Sequence, residues 1–228
     1  EKEDMTSLEA IVQNSTNGVM QTVSGDSEAI GYISLGSLND TVKAVKVEGV
    51  EATEENIEDG SYKISRPFNL AFKEDELDDL AKDFLKFCLS EDAQALSLEE
   101  GYVPVKDTEK YEPANLSGTL TVAGSTSVTP LMEKMAEKYE ELNSDASIEI
   151  QSTGSSAGIE AVMDGSADIA MASRELKDEE KEALAVEVIA TDGIAVVVNP
   201  ESKVEDLTME ELKEIFKGEL TNTSELGK

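Results

Sequence analysis

Apolar and polar positions along this 228-residue chain switch repeatedly between a period of two and a period of three to four. A period of two marks strands with one face inward, and the longer period marks amphipathic helices. The switching is most regular over residues 119–175. There TLTVAG gives way to a Ser/Thr turn and then to the helical run PLMEKMAEKYEEL. SIEIQS, a Gly/Ser turn, SAGIEAVMDG and the apolar ADIAMA follow. The order predicted is strand, turn, helix, strand, turn, helix, strand.

The flanks read with less regularity. TSLEAIV (6–12) predicts the end of a helix. Asn14, Ser15 and Thr16 predict a turn and N-cap for a helix through Val23, closed by Gly25-Asp26. AIGYISLGS predicts a buried strand, VKAVKVEGVEA an edge strand or hairpin, and ATEENIEDG a short helix stopped by Gly60. ISRPFNLAFK predicts a strand whose pairing Pro67 restricts. Residues 76–98 predict one or two amphipathic helices. GYVPVKDTEKYEPANLSG loses periodicity and predicts a linker. EVIATDGIAVVVNP predicts a buried strand broken near Asp192-Gly193. Thr208 and Glu211 form a capping box for a last helix ended by Gly218. Alternation of helices and strands predicts an α/β fold with mainly parallel pairing.

The chemistry of the 119–175 stretch lies in its turns. Each apolar strand empties into small hydroxyl residues just where a helix begins. Helix N-termini carry unpaired N–H groups and a partial positive charge, so two such turns side by side form an anion cradle. Serine and threonine add neutral hydroxyl donors. The pattern points to a small oxyanion, phosphate first among them.

Composition narrows the function classes. Lys and Arg number 19 against 50 Asp and Glu, a net charge of −31. Such a surface repels nucleic acid and anionic lipid, and phosphate as well, so capture depends on short-range hydrogen bonds. A solubility surface explains the charge more simply than an acidic docking function. There is no histidine, and Cys88 is the only cysteine. A His- or Cys-based metal site, a Ser-His or Cys-His pair and an internal disulfide are excluded on that inventory. Cys88 falls on the apolar side of a helical pattern, which predicts burial. No run of apolar residues is long enough to span a membrane. Glu1 is not a natural start, which suggests a processed or trimmed chain. The expectation is a binder without cofactor or metal, not an enzyme.

Several motifs resemble the phosphate-binding proteins of bacterial ABC phosphate importers, in their low-GC Gram-positive branch. GTLTVAGSTSVTPLMEKMAEKY is similar to that family's mature N-terminal region. QSTGSSAGIEAVMDGSADIAMASREL is similar to its second anion loop and the following strand. DGIAVVVNP and LTMEELKEIFKGELTNTSELG resemble the crossing into its second lobe and the helix beyond. NSTNGVMQTVSGDSEAIGYISLGSL, SYKISRPFNLAF and FLKFCLSEDAQALSLEEGYVPV resemble its return strand and C-terminal region. The order is permuted relative to the family: its C-terminal part occupies 1–106 here, its N-terminal part 117–228. The family's SRxxGSGT loop, with its strand and helix, would fall between Lys228 and Glu1 and has no counterpart in the chain. A circular permutant with the loop trimmed, a stretch of a tandem protein and an incomplete sequence all fit; the linker favours the tandem origin.

The resemblance implies a two-lobed, type II periplasmic-binding-protein-like fold. Lobe one is expected at 36–192, its permuted halves joined by a linker at 107–116. Lobe two is expected at 193–228 plus 1–35, lacking one βα unit. Three places carry the implied phosphate contacts: Ser125, Thr126 and Ser127; Gly154, Ser155 and Ser156; and Ser173 with Arg174. Arg174 contacts the anion or pairs with a carboxylate, and the pattern leaves both open. Arg66 is expected to brace the hinge or a carbonyl. Asp168 and Asp192 flank strands where either would accept the proton of hydrogen phosphate. Many relatives carry aspartate at the position of Ser173, so the source of selectivity stays open. The implied partners are inorganic phosphate and a membrane permease, with segment exchange between neighbouring copies a further option. Nucleic acid is not among them. The implied location is extracytoplasmic, membrane-anchored in a longer parent. A structural or surface module with a weakened site is the alternative, and a phosphatase a less favoured one.

Overall fold

The computed structural model describes residues 6–222 and residue 226. In chain order the elements are α1 (Thr16–Gly25), β1 (Ile30–Ser34), β2 (Lys43–Val47), α2 (Glu54–Glu58), β3 (Ser65–Phe72), α3 (Asp79–Cys88), α4 (Glu91–Glu99) and β4 (Val103–Pro104). They continue with β5 (Gly118–Gly124), α5 (Thr129–Leu142), β6 (Ala146–Ser152), α6 (Ser155–Asp164), β7 (Ile169–Ala172), α7 (Asp178–Ala183), β8 (Ala185–Val198), β9 (Asp206–Leu207) and α8 (Met209–Lys217). No helix among the described residues is long and apolar enough to cross a membrane.

The chain divides into two compact units, Ser65–Asp192 and Glu1–Ile64 with Gly193–Lys228. Residues 36–64 therefore belong with the discontinuous unit, which corrects the expected lobe boundary at 35/36. The reason is strand pairing: β2 lies antiparallel to the last residues of β8, with Lys43 opposite Val198, and parallel to β9. Lys228 and Glu1, which flank the segment expected to be missing, lie outside the described residues.

In the continuous unit the strand order is β6-β5-β7-β3-β8, with β4 also paired to β8. Only β6, β5 and β7 run parallel; β3 lies antiparallel to β7, and β4 antiparallel to β8. The expectation of mainly parallel pairing is thus corrected to a mixed sheet. Parallel neighbours need helical crossovers, and within the sheet only the β5-α5-β6-α6-β7 run supplies them.

Alternate residues of these strands face two different cores. Leu120, Val122, Ile169, Met171, Phe68 and Leu70 pack with α3 and α5 through Phe84, Leu131, Met135 and Tyr139. Ala123, Ala170, Ala172 and Ala71 pack with α6 through Ile159 and Val162. The second face is built from alanines, so α6 approaches closely. At Gly158 an added Cβ would run into the Ala123 carbonyl and the Gly124 Cα. Gly124 has φ +142°, and a Cβ there would strike the backbone of Met171. Cys88 is fully buried among the aromatic residues of the first core, and burial pushes its thiol pKa up.

The 107–116 connection is irregular apart from a single bridge between Ser90 and Glu109. It is anchored midway. Tyr111 is buried, and its hydroxyl donates to Asp83 Oδ2 at 2.6 Å; Tyr139 donates to the same oxygen at 2.8 Å. Asn143 Nδ2 donates to the Tyr111 hydroxyl at 2.9 Å, and its Oδ1 accepts from the Asn115 amide. Burial and the Asp83 carboxylate raise the pKa of both phenols.

The discontinuous unit places β1 and β2 antiparallel to the second half of β8. Met20 and Val23 of α1 pack on Ile33, Val42, Ala195 and Val197. Ser15 caps α1 by accepting from Gly18 N, so Asn14–Thr16 serve as a plain helix cap. Two expectations fail here. Residues 6–13 form turns rather than a helix end, leaving Leu8, Ile11 and Val12 exposed. β8 continues unbroken through Asp192-Gly193: Gly193 keeps an extended backbone, and the Ile57 side chain lies against it where a Cβ would otherwise stand.

Gly158→Ala is expected to cost about 1–3 kcal/mol, the usual penalty for overfilling a close contact, read from urea unfolding. Tyr111→Phe removes a donor to a carboxylate and is expected to cost about 1.5–3 kcal/mol. It should also speed proteolytic nicking at the exposed residues 112–115. An unchanged midpoint together with an unchanged nicking rate would contradict the anchoring role of Tyr111.

Candidate functional site

The parallel strands set the geometry. From β5 the chain crosses by α5 to β6 on one side, and β7 lies on the other side of β5. A strand order that reverses at β5 leaves a crevice at the carboxyl ends of the strands, where open α/β sheets bind ligands. The three turns that leave β5, β6 and β7 there, with the first turn of α6, contain every residue singled out from the sequence as a phosphate contact.

These turns are tied to one another. Ser125 N donates to Met171 O at 2.9 Å, which links the first turn to the end of β7. Thr153 N and Gly154 N both donate to Gly124 O, which hangs the second turn from β5. Ser125 Oγ bonds Ser173 Oγ at 2.9 Å, and Ser173 N donates to Ser155 Oγ at 3.2 Å. The structure therefore brings together Ser125, Ser155 and Ser173 directly. Ser127 N donates to Ser125 Oγ at 3.3 Å, which tightens the first turn, and Thr126 lies between them. Gly154 has φ +94°, a conformation glycine adopts without strain, and it serves as the N-cap of α6.

Capping separates these two helices from most of the others. α1, α2, α3, α4 and α8 each begin with a side-chain oxygen accepting from the first turn: Ser15, Thr53, Asp78, Ser90 and Thr208. α5 and α6 begin with no side-chain cap. At α5 Val128 N and Thr129 N donate to the Ser125 carbonyl and Pro130 carries no N–H, so that end offers chiefly the positive pole of its dipole; α6 adds the N–H groups of its first turn. Pro130 in the first turn of α5 suits a position that needs no donor.

Arg174 is held away from a simple role as a free cation. Its Nη1 donates to Glu180 Oε2 at 2.7 Å and its Nη2 to Glu180 Oε1 at 2.8 Å. Nη2 also reaches Ser156 Oγ at 3.4 Å. The guanidinium holds the Glu180 carboxyl below the usual carboxylate range, against the opposing effect of burial. The pair raises the Arg174 pKa in turn. Arg66 is likewise paired: its Nε donates to Asp192 Oδ2 at 3.0 Å, and Asp192 is fully buried.

The two aspartates expected as proton acceptors are placed otherwise. Asp168 precedes β7, at the end opposite the turns, and its Oδ2 accepts from Thr121 N at 2.7 Å. Asp192 is turned to Arg66. Four residues of the site escaped the sequence reading. Thr129 Oγ1 bonds Ser152 Oγ at 2.9 Å, joining the first two turns. Asn69, buried in β3, donates to the Arg174 carbonyl at 2.8 Å. Glu180 is the fourth. Asn69 had a signal, a polar residue inside the apolar run FNLAF; Glu180 had none beyond ordinary helix polarity. Among the described residues no group of His, Cys, Asp and Glu is arranged to hold a metal ion.

The model of the PBP superfamily domain matches residues 2–92 and 109–227. The phosphate-binding protein PstS 2 of Streptococcus agalactiae serotype V is 50% identical over 229 residues, covering 100% of this chain and 78% of that protein. PstS 2 of Streptococcus pneumoniae serotype 4 is 47% identical over 221 residues, covering 96% and 76%. The phosphate-binding protein PstS of Bacillus subtilis is 40% identical over 116 residues, 49% of this chain and 38% of its own. A crystal structure of a phosphate-binding protein of a phosphate ABC transporter from Streptococcus pneumoniae TIGR4 superposes with a TM-score of 0.78 at 45% identity. It covers 100% of this chain and 88% of its own. With identity near one half along the full chain and a shared α/β periplasmic-binding-protein-like fold, the chain belongs to the PstS-type phosphate-binding proteins of the PBP superfamily.

Proposed function

We propose that the chain binds inorganic phosphate as the extracytoplasmic substrate-binding component of an ABC phosphate importer and delivers it to a membrane permease. One observation carries the reading. Two uncapped helix N-termini and the Ser125–Ser173–Ser155 hydroxyls converge at the switch point of the sheet. That arrangement offers many neutral donors to one small oxyanion. Ser125, Thr126, Ser127, Gly154, Ser155, Ser156 and Ser173 supply them, and Arg174 acts beside them through Ser156. The names of the streptococcal relatives support phosphate as the ion. Their match along 96–100% of the chain, against 49% for the Bacillus subtilis protein, supports a segment order shared within the streptococcal group.

Nothing in the site's chemistry supports turnover. The chain contains no histidine to act as base, and the serine hydroxyls bond one another and backbone amides. A binding-impaired surface module is the second reading. The pairing of Arg174 with Glu180 favours it. Segment exchange between copies rests on the discontinuous unit. There Leu8, Ile11 and Val12 are exposed, and a cavity of about 110 Å³ opens between Ile30, Val198, Ile215 and Leu220. An added βα segment would cover such surface.

Titration calorimetry separates the two readings. The first expects saturable heat with phosphate and with arsenate. Ser155→Ala should weaken phosphate binding about tenfold, near 1.4 kcal/mol. Absence of heat with both ions would favour the impaired module.

A further inference from the structure

β6 is the last strand of its sheet: β5 pairs with one side of it, and among the described residues no strand pairs with the other. An open edge of this kind is a template for pairing with another chain. Backbone groups point alternately to the two sides of a strand, and the bonds at both ends of β6 tell the sides apart. Asp145 O accepts from Gly118 N, and Thr153 N donates to Gly124 O, so residues 145, 147, 149, 151 and 153 face β5. Ala146, Ile148, Ile150 and Ser152 therefore turn their N–H and C=O groups outward. Ala146 N is used at once, by Asn143 O at 2.9 Å. Ile148 N donates to Glu140 Oε1 at 2.7 Å. Glu140 stands half-buried in the last turn of α5, so a side chain from the covering helix occupies the place of a partner strand. The outward N–H groups of Ile150 and Ser152 have no such cover.

The sequence of this edge suits a second copy of itself. Antiparallel pairing about Ile150 would set Ile150 against Ile150, Ile148 against Ser152 and Glu149 against Gln151, with no like charges opposed. The outward residues would be the hydrogen-bonded pairs of that ladder. By two-fold symmetry two of its three pairs involve Ile148, and Glu140 already holds that amide in each copy. We propose that the outer edge of β6 is a strand-pairing surface for a second copy of this chain, and that Glu140 closes it by accepting from Ile148. Glu140 acts through its reach and its acceptor oxygen, since a net charge of −31 by itself disfavours association only where salt is low. None of this depends on which ion the crevice holds.

Sedimentation velocity tests this on the full chain, in concentrated sodium chloride so that net charge is screened. Wild type should stay monomeric. Glu140→Gln should stay monomeric too, because its amide oxygen still accepts from Ile148. Glu140→Ala lacks the acceptor, and Glu140→Asp is one methylene too short to reach. Both should form dimers, at concentrations about tenfold below any at which wild type associates. Adding Gln151→Glu to Glu140→Ala sets a carboxylate against Glu149 of the second copy and should return the protein to monomer.

A Glu140→Ala protein that stays monomeric would overturn the proposal. So would a monomeric Glu140→Asp beside a dimeric Glu140→Gln, the signature of charge alone. Dimers that survive Gln151→Glu would use another surface and overturn it as well. Should the variants fail to fold, amide hydrogen exchange in wild type decides. The Ile148 amide should be protected well beyond that of Ile150, and equal exchange of the two would contradict the role of Glu140.

Discussion

Everything at the candidate site depends on how closely α6 lies on the sheet. The contact has no side chain on the helix side: Gly158 sits over the Ala123 carbonyl and the Gly124 Cα, where a methyl group has no room. Alanines on the facing strands keep the rest of that surface low. Because the helix lies down on β5, its first turn reaches Gly124 and Ser173 instead of ending in solvent. The Gly124 carbonyl can then hold Thr153 and Gly154, and Ser155 Oγ can hold the Ser173 amide. A packing constraint in the core thus becomes a positioning device for backbone donors.

Charge is handled in the same local way. A chain at −31 cannot attract an anion at long range, so selectivity has to be built from contacts. Two arginines are each matched to a buried carboxylate, Arg66 to Asp192 and Arg174 to Glu180. In the proposed site, neutral hydroxyls and helix N-termini are left for the anion. Hydrogen bonds of this kind stay effective in a screened site, and they favour an ion of particular shape over one of particular charge.

Much of this was legible in the sequence, for reasons that differ by element. The βαβαβ core from Thr119 to Ala172 was readable because its strands alternate and its turns are marked by Gly, Ser and Thr. The capping box of α8 was readable because Thr208 and Glu211 carry their own spacing. The antiparallel course of β3 was not, since Ser65–Phe72 has no local feature that fixes direction. The unbroken β8 was missed because Asp192-Gly193 resembles a turn, while in the fold Gly193 lies against Ile57 and Asp192 is paired with Arg66. Arg174 was visible as a candidate, but its partner Glu180, six residues away on α7, is fixed only by the tertiary fold. The proton-acceptor role suggested for Asp168 failed for a related reason: a strand has two ends, and composition does not say which one meets the ligand.

Backbone amides are the donors on which the account rests, so their response to phosphate is the most direct test. In nitrogen-15 correlation spectra of the full chain, added phosphate should shift the amides of Thr126, Ser155, Ser156 and Ala157 together, with one saturation curve. Amides at the capped starts of α1 and α3 should stay in place. Shifts that spare these four residues, or that spread evenly over all helix N-termini, would contradict a cradle built from α5 and α6.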